Sequence, residues 1–337
     1  MNLSQRTDAF LRLGNRLREL APADVDRLAS RAGSENSWFT PASVALAIRG
    51  IAHMLHEQQL VPWTSAWREP KTKKIIGIAA AGNIPLVGFH DVLCVLLSGH
   101  NAKVKLSSQD RALMTWLLNL LMEIEPRFKN KIDTADLLKN IDAAIATGSD
   151  NTARYFEYYF RNTPHIIRKN RSSAAIILGE EEDQHLISLG HDVFSYFGLG
   201  CRSISKLWVP RHYNFEPLLQ AWRSFSPIIQ HHKYANNYDY QKSIMLINRT
   251  AFLDSGFVML TESESLVSPI SVVFYQTYSD QADLRAQLLT HTDKLQCVAS
   301  ANGWFAGSLP FGKAQMPDVW DYPDRVDTIA FLQKLEG

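Results

Sequence analysis

Ile75-Ile-Gly-Ile-Ala79-Ala-Ala-Gly-Asn83-Ile-Pro85 sets a short apolar run against a loop that holds a glycine and a side-chain amide, and an apolar stretch of helical length over 86–97 comes straight after. The same unit then repeats. Ala102-Lys-Val-Lys-Leu106 reads as a second strand, 111–122 as a second helix, Ile141-Asp-Ala-Ala-Ile-Ala-Thr147 as a third strand and 151–161 as another helix. Strands alternating with helices of this length form βαβ units on a parallel sheet. Ligands of such sheets sit beyond the carboxyl ends of the strands, and a nucleotide is the first expectation for that crevice.

Upstream the period is helical. Phe10, Leu13, Leu17 and Leu20 share one face of a helix over 4–20, and Thr40-Pro41 caps and opens a second helix that is apolar on nearly every side. The aromatic and basic segment Val61 to Pro70 links these helices to the first strand. Downstream, extended runs fall at 165–168, 174–178, 205–209, 242–248, 256–260, 271–275 and 295–299, with helices near 215–225 and 283–292 and a short helix at the end. The expected class is α/β, a Rossmann-type nucleotide-binding domain plus an α/β catalytic domain. The expected division is a helical segment over 1–70, a nucleotide-binding domain over 71–200, a catalytic domain over 201–310, and a segment over 311–337 that packs back on the others.

Composition narrows the function classes. Across 337 residues, 46% apolar and 20% charged content with a net charge of +1 leaves neither the basic footprint of a nucleic-acid binder nor a membrane-surface patch. A polar start without a signal-peptide core, and no spanning apolar run, lead to a cytoplasmic expectation. The three cysteines, Cys94, Cys201 and Cys297, are widely separated and odd in number. That pattern fits neither a disulfide framework nor a metal site, so reduced thiols and no metal are expected.

Four short stretches have the composition of a site. In Tyr196-Phe-Gly-Leu-Gly-Cys201-Arg202, two glycines let a substrate approach the sulfur, and the neighbouring arginine favours a thiolate. Cys201 therefore reads either as a nucleophile or as a buried cysteine at the head of a strand. Asn83 reads either as an oxyanion donor or as a turn asparagine. Lys105, Ser107 and Ser108 close the second strand, where they suit a ribose or phosphate, although a solvated strand-end lysine accounts for Lys105 equally well. Thr147, Gly148 and Ser149 close a strand and open a helix, an anion site that is compatible with a plain cap at Ser149 or Asp150.

Other patterns are set aside. Ser203-Ile-Ser-Lys206 matches Ser-x-x-Lys but runs into an apolar strand. Gly198-Leu-Gly200 lacks the third glycine of a dinucleotide fingerprint, and His231-His232 has no carboxylate or cysteine at ligand spacing. Glu180 to Asp183 is the charged first turn of a helix.

Taken in order, Ala-Gly-Asn83-Ile-Pro, Lys105-Leu-Ser-Ser, Thr147-Gly-Ser and Gly-Leu-Gly-Cys201 resemble the aldehyde dehydrogenase superfamily, and more closely its acyl-CoA reductases. From Ile75 to the end, including Trp320-Asp-Tyr-Pro-Asp-Arg-Val-Asp, the chain looks like the LuxC-type fatty acyl-CoA reductases. The resemblance implies an aldehyde dehydrogenase-like fold in which Cys201 attacks a thioester carbonyl. Asn83 and a backbone N–H would hold the oxyanion, with Lys105, Ser107, Ser108, Thr147, Gly148 and Ser149 on the cofactor. It also implies an acyl-CoA or acyl-carrier substrate, a homo-oligomer and an acyl-transferring synthetase as possible partners.

The chain departs from acid-forming dehydrogenases in three ways. Where those carry Glu-Leu-Gly-Gly it reads Ile167-Arg168-Lys169-Asn170-Arg171, so the residue that activates water for hydrolysis is missing, which favours aldehyde as product. No carboxylate stands in Lys105-Leu-Ser107-Ser108, so NADPH is the expected cofactor and Lys105 its 2′-phosphate partner. Glu264-Ser-Leu-Val-Ser-Pro269 stands one place out of register with the family's Glu-x-Phe-Gly-Pro, so Glu264 is left out of the site. Two rival readings stay open: a CoA-acylating dehydrogenase running oxidatively, and a silent nucleotide-binding scaffold.

Overall fold

The structure is a computed structural model that describes residues 1–335. It divides into two compact units, Met1–Asn170 with Met316–Gly337, and Arg171–Gln315.

The first unit begins with helices α1 (Leu3–Arg18), α2 (Pro22–Glu35), α3 (Pro41–Met54) and α4 (Glu57–Thr64). A capping box between Asn2 and Gln5 starts α1, and Thr40 caps α3 through the Ser43 amide, with Pro41 in its first turn. The helix α4 occupies part of the stretch read from sequence as a link. Then follow β1 (Ile75–Ala79), α5 (Phe89–Leu97), β2 (Asn101–Lys105), α6 (Arg111–Ile124), β3 (Ile132–Thr134), β4 (Ala143–Thr147), α7 (Asp150–Tyr159) and β5 (His165–Arg168). The sheet is wholly parallel in the order β3-β2-β1-β4-β5. Strand order reverses beside β1, the topological switch point at which open α/β sheets bind ligands.

The helical start belongs to this unit. Phe10 of α1 lies against Phe89 and Phe128, and the buried Arg6 donates to the Leu97 carbonyl at 3.0 Å. The C-terminal stretch is fastened by Arg168, whose buried guanidinium pairs with Asp91 at 2.7 Å and donates to Pro323 O at 2.6 Å and Thr328 Oγ1 at 2.8 Å. Burying a guanidinium requires partners of this quality. The short helix α12 (Thr328–Lys334), foreseen at the end of the chain, carries Thr328.

The second unit holds β6 (Ser172–Ile176), α8 (Asp183–Phe194), β7 (Ile204–Pro210), α9 (Glu216–Trp222), α10 (His232–Ile247), β8 (Leu253–Asp254), β9 (Met259–Glu262), β10 (Val272–Tyr278), α11 (Gln281–Leu289), β11 (Leu295–Ser300) and β12 (Leu309–Pro310). Its sheet runs β12-β11-β6-β7-β10-β9-β8, parallel except for the β8–β9 pair. Apolar side chains pack on both faces of the central strands. Leu207 and Val209 join Trp222 on one face, while Trp208 joins Leu284 and Leu295 on the other. Each buried tryptophan contributes about 3 kcal/mol against exposure.

Two expectations are corrected. The run 242–248 is not a strand but the end of α10. A short apolar run suits either element, and here the helix begins ten residues earlier, burying Tyr234, Tyr238 and Met245 on one face. The units also divide at 170/171 rather than near residue 200, because β6 and α8 precede Cys201 and β6 pairs with β7 and β11. Among the described residues no helix is long and apolar enough to cross a membrane.

Candidate active site

In the first unit the sheet register places the candidate loops side by side. Ala79 pairs with Lys105 on one flank and with Ala146 on the other, so the chain leaves β1, β2 and β4 at one edge. Asn83, Lys105, Ser107, Ser108, Thr147, Gly148 and Ser149 all lie along it.

The β1 loop is braced from three directions. The Ala80 amide donates to Lys105 O at 3.1 Å, Asn36 Nδ2 donates to Gly82 O at 3.2 Å, and the Leu86 amide donates to Asp110 Oδ2 at 2.7 Å. Leu86 stands at φ 60°, a left-handed conformation that a branched side chain adopts only under such constraint. Gly82 has no room for a side chain, since a Cβ there would lie 2.4 Å from Ser107 Oγ. Ser107 Oγ in turn accepts the Gln109 amide at 3.2 Å. Lys105, Ser108 and Asn83 are exposed.

At β4, Ser149 caps α7 through the Thr152 amide, and the Gly148 amide donates to Arg168 O at 3.3 Å. The cap reading of Ser149 therefore holds, and the start of α7 lies at this edge. The buried Asp110 carboxyl is pushed up to about 8 by desolvation, which outweighs the bond from Leu86. It is thus a neutral acid at pH 7, turned onto the β1 loop.

In the second unit Cys201 is half-buried, between a 3-10 turn (Ser195–Gly198) and β7. Tyr196, Phe197 and Gly198 take φ of 52°, 57° and 79° in succession, so two of the three left-handed positions carry aromatic side chains. Strain of this kind persists only where the surroundings over-determine it. The surroundings here are hydrogen bonds. Ser173 Oγ donates to Cys201 O at 3.0 Å, the Gly200 amide donates to Ser203 Oγ at 3.3 Å, and Arg202 Nε donates to Ala314 O at 2.6 Å. Arg202, expected from sequence to favour a thiolate, thus spends its Nε donor on a carbonyl.

The other thiols differ. Cys94 is buried in α5, where burial and Asp91 push its thiol well above the usual range. Cys297 is buried on β11, 3.1 Å from Ser173 Oγ, which also accepts the Cys297 amide at 3.2 Å. All three are free of disulfides.

Several buried side chains of the second unit carried no signal in the sequence. Ser173 and Asp192 look like ordinary strand and helix residues. Lys206, set aside as half of a chance motif, is fully buried in β7 and donates to the carbonyls of Ser263 at 3.0 Å, Glu264 at 2.9 Å and Ser265 at 3.3 Å, and to Gln276 Oε1 at 2.6 Å. Ser205 Oγ takes the next carbonyl, Leu266 O, at 2.8 Å. Burial lowers the Lys206 ammonium to about 8. Four consecutive carbonyls of the β9–β10 crossover are thereby satisfied by two adjacent residues of β7. The Glu264 side chain is exposed on that crossover. Asn83 and Cys201 belong to different units.

No protein-family model matches the chain, and no curated protein matches it. Solved structures do. The chain is similar to an NAD-dependent aldehyde dehydrogenase from Sinorhizobium meliloti (TM-score 0.67, 11% identity, over 89% of this chain and 70% of that one). It is also similar to the P. syringae indole-3-acetaldehyde dehydrogenase AldA in complex with NAD+ and IAA (0.66, 11%, 94% and 75%). A third likeness is to Mycobacterium tuberculosis aldehyde dehydrogenase complexed with NAD+ (0.65, 14%, 89% and 73%). At these identities the likeness shows the fold, which is aldehyde dehydrogenase-like.

Proposed function

We propose that the protein is an NADPH-dependent acyl-CoA reductase of LuxC type, releasing an aldehyde from a thioester through Cys201. The observation that carries this reading is the turn at Cys201. Of three thiols it is the one not buried, and a strained, hydrogen-bonded turn holds it at the head of a central strand.

Cys201 attacks the thioester carbonyl as the thiolate, forming the S–acyl bond while the CoA sulfur leaves with the electron pair. The resemblance gives the developing oxyanion to the Asn83 amide. NADPH, when bound, supplies the hydride that reduces the acyl group. The resulting thiohemiacetal then loses its hydroxyl proton and expels the Cys201 thiolate, and aldehyde departs.

The first unit supports a phosphorylated dinucleotide. At the switch-point edge it offers an exposed lysine, two serine hydroxyls and a capped helix start. The nearest acid after β2, Asp110, is buried and neutral, so no negative charge there repels a 2′-phosphate. Aldehyde rather than acid is favoured because Arg168, at the place of the missing glutamate, is buried in an ion pair and cannot act as a base toward water.

The test is NADPH oxidation by the purified protein with a panel of acyl-CoAs, with the aldehyde trapped and identified. Turnover should fall by roughly 10³-fold or more in Cys201→Ala while NADPH still binds. Turnover that survives the substitution would remove the nucleophile, and acid as product would reverse the reading of residues 167–171.

A further inference from the structure

The turn that carries Cys201 is tied at two points to one other piece of chain, residues 312–315. Arg202 Nε donates to Ala314 O at 2.6 Å, and Gln315 Nε2 donates to Ser203 Oγ at 3.4 Å, the atom that also accepts the Gly200 amide. That piece of chain is itself fixed by one side chain of α8. Asp192, wholly buried, accepts the Gly312 amide at 2.6 Å on one carboxylate oxygen and the Ala314 amide at 3.0 Å on the other. Gln315 Nε2 also reaches the Asp192 carbonyl at 3.5 Å. Gly312, at φ 83°, is one of the left-handed positions where glycine is needed.

We propose that Asp192 is a positioning residue: its carboxylate latches residues 312–315 and, through Arg202 and Ser203, holds the turn of Cys201 in working geometry while it is ionised. The inference rests on reading Cys201 as the nucleophile. A carboxylate can accept both amides. A carboxylic acid is the poorer acceptor: its hydroxyl oxygen keeps lone pairs but must turn its proton away from the N–H, and both bonds lose their charge assistance.

Burial pushes Asp192 up to about 7, against the two amide bonds and against Arg202, which favour the ion. Among the described residues Arg202 is the charged group that faces it. His191, next to it on α8, packs on the Phe225 ring at 5.0 Å, and Lys313 on the latched segment is exposed. With the carboxyl still buried, the two amide bonds are therefore charge-assisted above about pH 7 and weaken below it. Stability runs the other way. A carboxyl whose folded pKa lies above its unfolded value contributes stability that is present at low pH and lost as pH rises through about 7. Acidification over this range thus weakens activity while this group strengthens the fold.

The test is amide hydrogen exchange of the full chain at about pH 6 and about pH 8, corrected for intrinsic exchange, beside the pH profile of NADPH oxidation. The amides of Gly312 and Ala314 should lose about tenfold in protection at the lower pH, and Asp192→Asn should show the lower value at both. In that variant kcat should fall by about 10- to 100-fold with KM for acyl-CoA little changed, and the inflection near pH 7 should vanish. Protection that is equal at both pH values, or a variant profile that keeps the inflection, overturns the latch. If Asp192→Asn does not fold, the exchange titration of the natural protein decides alone. If no acyl-CoA is turned over, the nucleophile reading fails. The latch is then judged by exchange and by iodoacetamide labelling of Cys201, which should differ between the two proteins.

Discussion

The edge of the first sheet and the turn of Cys201 are built on opposite principles. Along the edge the backbone is braced while Asn83, Lys105, Ser108 and Ser149 stand exposed. Around Cys201 both the backbone and its neighbours are committed. Ser173, Arg202, Ser203 and Asp192 are engaged with main-chain atoms, and three successive residues are left-handed. If the edge binds and Cys201 attacks, as proposed, exposed side chains can adjust to a ligand while the turn must already hold attack geometry; the β1 loop carries its left-handed strain at Leu86, the turn at three residues in succession.

Substitutions separate the two regions by what they cost. The largest effect is expected at Cys201→Ala, which should remove turnover and leave NADPH binding at the first unit intact; loss of both together would break the contrast. Next comes Lys206→Met. It strips three carbonyls and Gln276 of their donor and should cost the second unit about 3 kcal/mol in urea unfolding. A loss below about 1 kcal/mol would mean that solvent takes over the carbonyls and that the region is less committed than its bonds suggest.

Gly82→Ala tests the open edge. A Cβ there overlaps Ser107, so the β1 and β2 loops must part, and the Kd for NADPH should rise about tenfold with the iodoacetamide reactivity of Cys201 unchanged. Altered cysteine labelling would show that the two regions are coupled. The smallest effect is expected for Ser149→Ala, which loses a cap worth about 1 kcal/mol and should lower the melting temperature slightly and weaken NADPH binding only a few-fold.

The sequence exposed one region better than the other. Glycine and amide at a strand end, lysine and serines at the next, and a Thr-Gly-Ser helix start are local signals, and the register of β1 with β2 and β4 carries all three to one edge. Cys201 was legible from its glycines. Its supports were not: Ser173 on β6 bonds its carbonyl, and Asp192 on α8 reaches the turn only through residues 312–315. The apolar run over 242–248 misled because strand and helix are indistinguishable in a run that short.

What the sequence determined by itself was periodic and local: alternating apolar strands and helices, the cap at Thr40, and the glycine-bounded turn before β7. These follow from side-chain periodicity and backbone sterics, which act over a few residues. Only the tertiary structure decided the boundary at 170/171, the burial of Lys206 and Arg168, and the bond between Asp192 and residues 312–314. Those depend on desolvation. Whether a lysine or an aspartate is solvated or must find a buried partner is set by which distant chains close over it, and no local pattern encodes that.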